Sequence, residues 1–179
     1  MLAIKYIPES KINDERLAEI RTNMKTIATI KHKNIVQLYD AIRTTNSLYF
    51  MMEYCNGGDL YNYRLKQGGK LTEVEAKKFL KDIVAGYYML YNLGIIHQNF
   101  KPENILIHDG VAKIADFFYY PLFDFVKCKT LVGTHLFVIS QEILNGEKFS
   151  SKCDLWSLGV IYHQCYKDKL LIPKKPDLI

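Results

Sequence analysis

Residues 97–104, His-Gln-Asn-Phe-Lys-Pro-Glu-Asn, place a histidine, a lysine and three amide side chains within eight positions. The side-chain oxygen of Asn104 is a ligand type that suits a hard cation such as Mg²⁺. Asn99 is a neutral amide, so it can hydrogen-bond a hydroxyl group but cannot accept the proton of that group. A hydroxyl group that Asn99 binds therefore keeps its proton unless another group takes it.

Short motifs on both sides of this segment follow one another in a defined order. Two motifs precede it. One is an apolar run that ends in a lysine, and the other is a segment with two glycines between two acidic residues. After it lie an Asp-Phe pair, a Ser-Gln-Glu stretch and a stretch that contains the tryptophan. They are Leu-Ala-Ile-Lys at 2–5, Met-Glu-Tyr-Cys-Asn-Gly-Gly-Asp-Leu at 52–60, Lys-Ile-Ala-Asp-Phe-Phe at 113–118, Ser-Gln-Glu at 140–142 and Asp-Leu-Trp-Ser-Leu-Gly at 154–159.

The motifs and their order resemble those of the protein-kinase family over nearly the whole chain. Because each motif stands where the family has it, the motifs support one another. Residues 101–104 are similar to the serine/threonine type. Residues 34–40 and 52–60 most resemble the autophagy-initiating serine/threonine kinases. The resemblance implies ATP, Mg²⁺ and a protein substrate or protein partner.

The resemblance implies an α+β, two-lobed protein-kinase-like fold as a single domain over residues 1–179. Residues 1–55 correspond to a partial small lobe, which is expected to lack the first two strands and the glycine-rich loop. Residues 56–179 correspond to a mostly helical large lobe that ends soon after its anchoring helix. The boundary is expected near residues 56–59.

Residue spacing predicts the main elements independently of the resemblance. Apolar residues three or four positions apart, starting after Asp14, place one apolar face on a helix. They are Leu17, Ile20, Met24, Ile27 and Ile30. Residues 36–39 and 47–53 are predicted strands. A capping box at Thr72–Glu75 begins a long helix that stops at Gly94, and Asp109-Gly110 is a predicted turn between strands 105–107 and 111–114.

By resemblance, Asn99 occupies the position of the catalytic aspartate and Lys101 lies near the transferred group. Asn104 and Asp116 are the expected metal ligands. An alternative for Asp116 is an ordinary acid in a turn. Phe118 replaces a glycine of the family, and a side chain there is expected to strain the backbone beside the metal site.

Lys5 is expected to contact the nucleotide phosphates, although a lysine on a strand can also serve to keep a sheet edge soluble. The family's partner glutamate would fall on Asn23. Glu19 lies one helical turn earlier, about 5.4 Å away, so it could replace that partner only if the helix shifted. Lys5 is therefore expected to be poorly positioned.

The resemblance implies that Ala3 and Leu106 enclose the adenine, although core packing is an equally good explanation of both residues. The backbones of Glu53 and Cys55 are expected to bond the adenine edge. Asp59 is expected to reach the ribose.

Other positions bear on assembly and regulation. His97 and Asp154 are expected to be structural, with His97 joining Leu38, Ile27 and Phe117 in an apolar column between the lobes. Gln98 replaces an arginine of the family. Phosphorylation at Thr130 or Thr134 therefore has no obvious charge partner.

Composition fits one globular unit of 179 residues with 49% hydrophobic and 24% charged residues. The net charge of +5 comes from lysines scattered among acids, which favours a solvated surface over a nucleic-acid site. Four cysteines show no paired spacing, which predicts a reduced cytoplasmic or nuclear setting, with the cytoplasm preferred. The same spacing disfavours a zinc site at Cys153, His163 and Cys165. No apolar run reaches about 18 residues, so no membrane span is expected.

Three functional hypotheses follow. The first is a pseudokinase with residual ATP and Mg²⁺ contact and a scaffold or allosteric role. The second is a working but slow kinase in which water or substrate takes the proton. The third is an inactive partial gene product that does not fold alone.

Overall fold

The small lobe is built on a three-stranded antiparallel sheet. The computed structural model describes residues 1–8, 20, 24, 26–97, 99–117 and 151–167. Strands β1 (Leu2–Pro8), β2 (Leu38–Arg43) and β3 (Ser47–Glu53) pair in the order β1-β3-β2. Side chains alternate across β3, so that Phe50 and Met52 are buried in the core.

Apolar residues three or four positions apart pack against this region, as their spacing predicts. Ile20, Met24 and Ile27 are helical. Ile20, Ile27 and Ile30 are buried, and Met24 packs against the same core. The predicted apolar face is therefore confirmed at these positions, whereas Leu17 lies outside the described residues.

The predicted strand at 36–39 was wrong in its bounds, because the observed strand β2 is Leu38–Arg43. Val36 does not pair with β3. Its N–H donates to the carbonyl of Ile114 at 2.9 Å, and Ile35 forms a parallel bridge with the same residue. Tertiary pairing with the large lobe thus takes Val36, which spacing alone had assigned to the strand.

The large lobe combines three described helices with a two-stranded hairpin. Its elements are helix α1 (Leu60–Lys66), helix α2 (Glu73–Asn92), a 3-10 turn (Pro102–Asn104), strand β4 (Ile105–His108), strand β5 (Val111–Ile114) and helix α3 (Lys152–Lys167). The capping box of Thr72 and Glu75 is present at the start of α2, and Gly94 follows its end with φ of +71°. Asp109 and Gly110 also have positive φ, as the predicted turn requires.

Asn34 joins the two parts of the core. Its side chain donates to the carbonyl of Ala112 at 3.0 Å, and its own carbonyl accepts from the N–H of Ile114 at 2.9 Å. Gly86 of α2 lies so close that an added Cβ would stand 2.5 Å from the Asn34 carbonyl oxygen. Among the described helices, none is both long enough and apolar enough to cross a bilayer.

Candidate active site

His97 organises the loop that follows α2. Its side chain is almost fully buried, at 2% exposure, and its ring stacks on Phe100 at 4.1 Å between centroids. The backbone N–H of His97 donates to the Asp154 carboxylate of α3 at 2.7 Å. The imidazole bonds the Ala115 carbonyl through Nε2 at 2.9 Å, and Nδ1 accepts from the N–H of Asn99 at 3.2 Å.

These contacts determine the protonation of His97. Because Nδ1 accepts a hydrogen bond, the proton of the neutral ring is on Nε2, which donates to Ala115. Burial lowers the pKa of His97 to about 4, and the hydrogen bond to the Ala115 carbonyl opposes this only in part. The neutral ring therefore acts as a structural link between the loop and the segment before Asp116.

Asn104 closes the loop onto Asn99. Its side-chain Nδ2 donates to the Asn99 carbonyl at 2.8 Å, while its backbone N–H donates to the Lys101 carbonyl at 2.9 Å. The Asn104 carbonyl accepts from the N–H of Ala115 at 2.9 Å, which ties the loop to the residue before Asp116. Because Nδ2 is the donor, Oδ1 is the side-chain atom of Asn104 that can ligate a cation.

Lys5 and Asp116, the residues expected to contact phosphate and metal, form an ion pair with each other. The Lys5 ammonium is 2.6 Å from Asp116 Oδ2, and the side chains are 36% and 22% exposed. Asp116 has φ of +64°, a left-handed conformation that residues with a side chain rarely adopt. The carboxylate is thus held against a cationic side chain.

The donor set fits Mg²⁺, because Asn104 Oδ1 and the Asp116 carboxylate are both hard oxygen ligands. Such an ion takes its remaining ligands from water and from nucleotide phosphates. Its chemistry would be to neutralise charge on those phosphates. At Asp116 it would share the carboxylate with the Lys5 ammonium.

The end of β3 and the segment after it contain two of the predicted adenine contacts, Glu53 and Cys55. The Glu53 carboxylate is engaged by Lys113 of β5, with Nζ 2.9 Å from Oε1, and by the N–H of Gln37 at 3.2 Å. Cys55 is buried, and this burial raises the pKa of its thiol to about 11, with the Glu53 carboxylate acting in the same direction. The thiol is therefore neutral at pH 7.

Asp59 is the N-cap of α1. Its carboxylate accepts from the N–H of Asn62 at 2.8 Å and from the Asn62 side chain at 2.7 Å. Leu106 forms an isolated antiparallel bridge with Asp59, and both Leu106 and Ala3 are half-buried. The ribose role of Asp59 and the adenine roles of Ala3 and Leu106 stay predictions.

Several predicted positions lie outside the described residues. They are Glu19, Asn23, Gln98, Phe118, Thr130, Thr134 and residues 140–142. The predictions for the lysine partner, the replaced glycine and the phosphorylation positions therefore stay predictions.

Lys113 is a buried charged residue whose role the motifs of the sequence do not indicate. It is the first residue of the Lys-Ile-Ala-Asp motif at 113–116, in which the resemblance gives a functional role to the aspartate. A lysine within a strand of otherwise apolar residues is a signal for a buried partner, because an unpaired charge is costly there. The acid that pairs with it, Glu53, is 60 positions away in the sequence.

The protein kinase domain model matches residues 1–178. The human serine/threonine-protein kinase ULK1 is 37% identical over 173 residues, which cover 88% of this chain and 16% of that protein. The Arabidopsis thaliana serine/threonine-protein kinase ATG1a is 34% identical over 170 residues, which cover 92% of this chain and 26% of that protein. The chain thus spans about a quarter or less of these relatives.

A crystal structure of Rad53 residues 1–466 in complex with AMP-PNP is similar in fold, with a TM-score of 0.81 and 25% sequence identity. The similarity covers 99% of this chain and 44% of that chain. It confirms the α+β kinase-like fold, and the ULK1 and ATG1a matches confirm the resemblance to autophagy kinases. With the domain model matching almost every residue, this chain belongs to the protein kinase domain family and is of the serine/threonine kinase type.

Proposed function

We propose that this chain is a catalytically impaired serine/threonine protein kinase domain that retains adenine-nucleotide contact and acts as a scaffold or allosteric partner of another protein. The observation that carries the proposal is Asn99, a neutral amide at the position where the family has its proton acceptor. General acid–base catalysis contributes about 10² to 10⁴ in rate, so the loss of the base alone is large.

The surroundings of Asn99 support a binding role. The loop is held by the His97, Asn104 and Asp154 contacts described above, and this ordered loop supports the proposal that nucleotide binding persists without the base. An amide in place of a carboxylate also removes one negative charge, which lessens repulsion of phosphates. These features favour retained nucleotide binding without efficient phosphoryl transfer.

The pairing of Lys5 with Asp116 supports impairment as well. Phosphoryl transfer depends on positioned charge, and here a phosphate ligand and a metal ligand neutralise each other directly. A metal at Asp116 has to share the carboxylate with the Lys5 ammonium, and a phosphate at Lys5 has to share the ammonium with that carboxylate. We expect the effect on rate to multiply that of Asn99.

A phosphoryl-transfer assay tests the proposal. The purified chain, labelled ATP, Mg²⁺ and a serine- and threonine-containing peptide mixture are compared with the same reaction of Asp116→Ala. We expect transfer by both proteins at or near background. Robust transfer by the parent, abolished by Asp116→Ala, would contradict the proposal.

A working but slow kinase is the second candidate, favoured by the intact hydrogen bonds among His97, Asn99 and Asn104. Asn99→Asp separates the two candidates. If the rest of the site is competent, restoring the base raises the transfer rate about a hundredfold or more. Our proposal expects a smaller rise, because the Lys5–Asp116 pair remains.

Nucleotide binding is tested separately from transfer. We expect ATP to raise the unfolding midpoint of the chain, because a ligand that binds only the folded state stabilises it. Absence of any shift, together with no binding by calorimetry, would refute the nucleotide part of the proposal.

The proposed setting is the cytoplasm, which agrees with Cys55 and Cys165 being free thiols.

A further inference from the structure

Glu53 and Lys113 form a largely buried ion pair between the two lobes. The Lys113 ammonium is 2.9 Å from Oε1 and 3.1 Å from Oε2 of Glu53, and the side chains are 11% and 17% exposed. Oε2 also accepts from the N–H of Gln37 at 3.2 Å. The carboxylate is thus held by three contacts from two different parts of the chain.

The position of the pair links it to the hinge, which we define as residues 53–57. Glu53 is the last residue of β3, and its N–H donates to the Gln37 carbonyl at 2.9 Å. Lys113 lies on β5 directly opposite Leu106 of β4. At the other end of the hinge, the N–H of Gly57 donates to the Ile107 carbonyl at 2.8 Å.

The space around the hinge is also limited at Gly57. A Cβ there would lie 2.8 Å from Cβ of Ile107 and 2.9 Å from its carbonyl oxygen. The hinge backbone therefore approaches the β4–β5 hairpin closely, and the Glu53–Lys113 pair holds its other end to the same hairpin.

Buried ion pairs add little net stability, because desolvation offsets most of the Coulomb attraction. In some proteins they instead select one geometry among alternatives. We propose that the Glu53–Lys113 pair is a positioning device that sets the hinge backbone for an adenine edge. The inference deepens the proposed nucleotide binding and depends on it for its ligand.

The experiment measures the affinities for ATP and GTP in parallel. The variants are Glu53→Gln, Lys113→Met, the double variant of both, and Lys113→Arg. Lys77→Met is the matched control, because it breaks the exposed Lys77–Glu73 pair on α2 far from the hinge in sequence. We expect each neutralising single variant to weaken ATP about tenfold and GTP less, so that the ATP/GTP preference falls.

The double variant separates positioning from stability. It leaves no unpaired buried charge, so its unfolding midpoint should recover relative to the single variants. Its ATP/GTP preference should stay low, since the link to β5 is still missing. Lys113→Arg, which keeps the positive charge, should retain much of the ATP/GTP preference of the parent. A preference that is unchanged in every variant, or that recovers in the double variant, would overturn the inference.

Hydrogen exchange of the ligand-free protein decides the inference even if ATP does not bind. Failure of ATP binding in the parent chain would refute the proposed nucleotide contact alone. Whether or not ATP binds, we expect the amides of residues 54–57 to exchange faster than in the parent in both single variants and in the double variant. Exchange in α2 should be unchanged, and Lys113→Arg should exchange at nearly the parent rate. Equal exchange of the hinge in parent and double variant would refute the positioning role.

Discussion

His97 uses its backbone N–H and both ring nitrogens to hold the loop together. The bonds to Asp154, Asn99 and Ala115 connect α3, the loop and the segment before Asp116. Because the ring is buried and neutral, protonation would break the acceptor role of Nδ1 and place a charge in the core. The altered chemistry at Asn99 therefore lies in a loop whose framework depends on an uncharged histidine.

This arrangement predicts a pH dependence of stability. The pKa of His97 is lowered from 6.5 in the unfolded chain to about 4 by burial. The unfolded chain therefore binds a proton that the folded chain does not, and stability is lost as pH falls from about 6.5 towards 4. Between pH 8 and pH 5 the loss from this group is about 2 kcal/mol.

Urea unfolding of the parent and His97→Gln at the two pH values measures this contribution. The variant is expected to be less stable at pH 8 but to lose about 2 kcal/mol less on going to pH 5. An equal loss in both proteins would show that His97 is not responsible for the acid sensitivity.

The contact between Lys5 and Asp116 leads to a prediction about Mg²⁺ binding. Because the ammonium contacts Asp116 Oδ2, Mg²⁺ has to share that carboxylate with a cation. Lys5→Met should therefore give a larger Mg²⁺-induced rise in the unfolding midpoint of the nucleotide-free chain than the parent shows. Asp116→Ala, alone or combined with Lys5→Met, serves as the control and should show no rise. Equal rises in parent and Lys5→Met would argue against competition.

At the scale of elements, the contact between α2 and the segment before β2 aligns the two lobes. Gly86 allows the Asn34 backbone to approach the helix, and Asn34 in turn bonds both Ala112 and Ile114 of β5. The approach leaves no space for a side chain at position 86. This helix, the connecting segment and the hairpin therefore form one packed unit.

Gly86→Ala should destabilise the chain by roughly 1–3 kcal/mol, because its Cβ would stand 2.5 Å from the Asn34 carbonyl oxygen. Gly159→Ala is the matched control, since Gly159 lies within α3 and an added Cβ would meet no atom of the described residues within 4 Å. There the change should stabilise by about 0.5–1 kcal/mol, as alanine is the better helix former. Urea unfolding compares the two variants, and a Gly86→Ala chain as stable as the parent would contradict the packing argument.

At the scale of the whole molecule, one apolar core runs through both lobes. It includes Phe50 of β3, Ile35 of the connecting segment, Ile114 of β5, Leu90 of α2 and Ile161 of α3. Elements that share a core lose their packing together, so they unfold together. The two lobes are therefore expected to behave as one cooperative unit.

Thermal unfolding should show a single transition. Far-UV circular dichroism follows all elements, whereas fluorescence of Trp156, the one tryptophan of the chain, follows α3. We expect the two midpoints to coincide. Separate midpoints would mean that the lobes unfold independently. A melt without any transition would support the hypothesis of a partial product that does not fold alone.

Local signals in the sequence determined several features without the fold. Thr72 and Glu75 predicted the start of α2, and Asp109-Gly110 predicted the hairpin turn, because capping and turn geometry involve residues that are neighbours in the chain. The order of the motifs was sufficient to assign the family, since it does not depend on any single contact. Asn99 showed by its residue type alone that the position of the base is neutral.

Only the tertiary structure decided which distant groups meet. Spacing could not show that Val36 pairs with Ile114 instead of β3, or that Lys113 finds its acid at Glu53. The contact of Lys5 with Asp116 spans 111 positions, so no pattern within a helix or strand encodes it. Capping and turn bonds form between neighbours and can be predicted from short windows, whereas these pairings exist because the folded core brings separate segments within a few ångströms of each other.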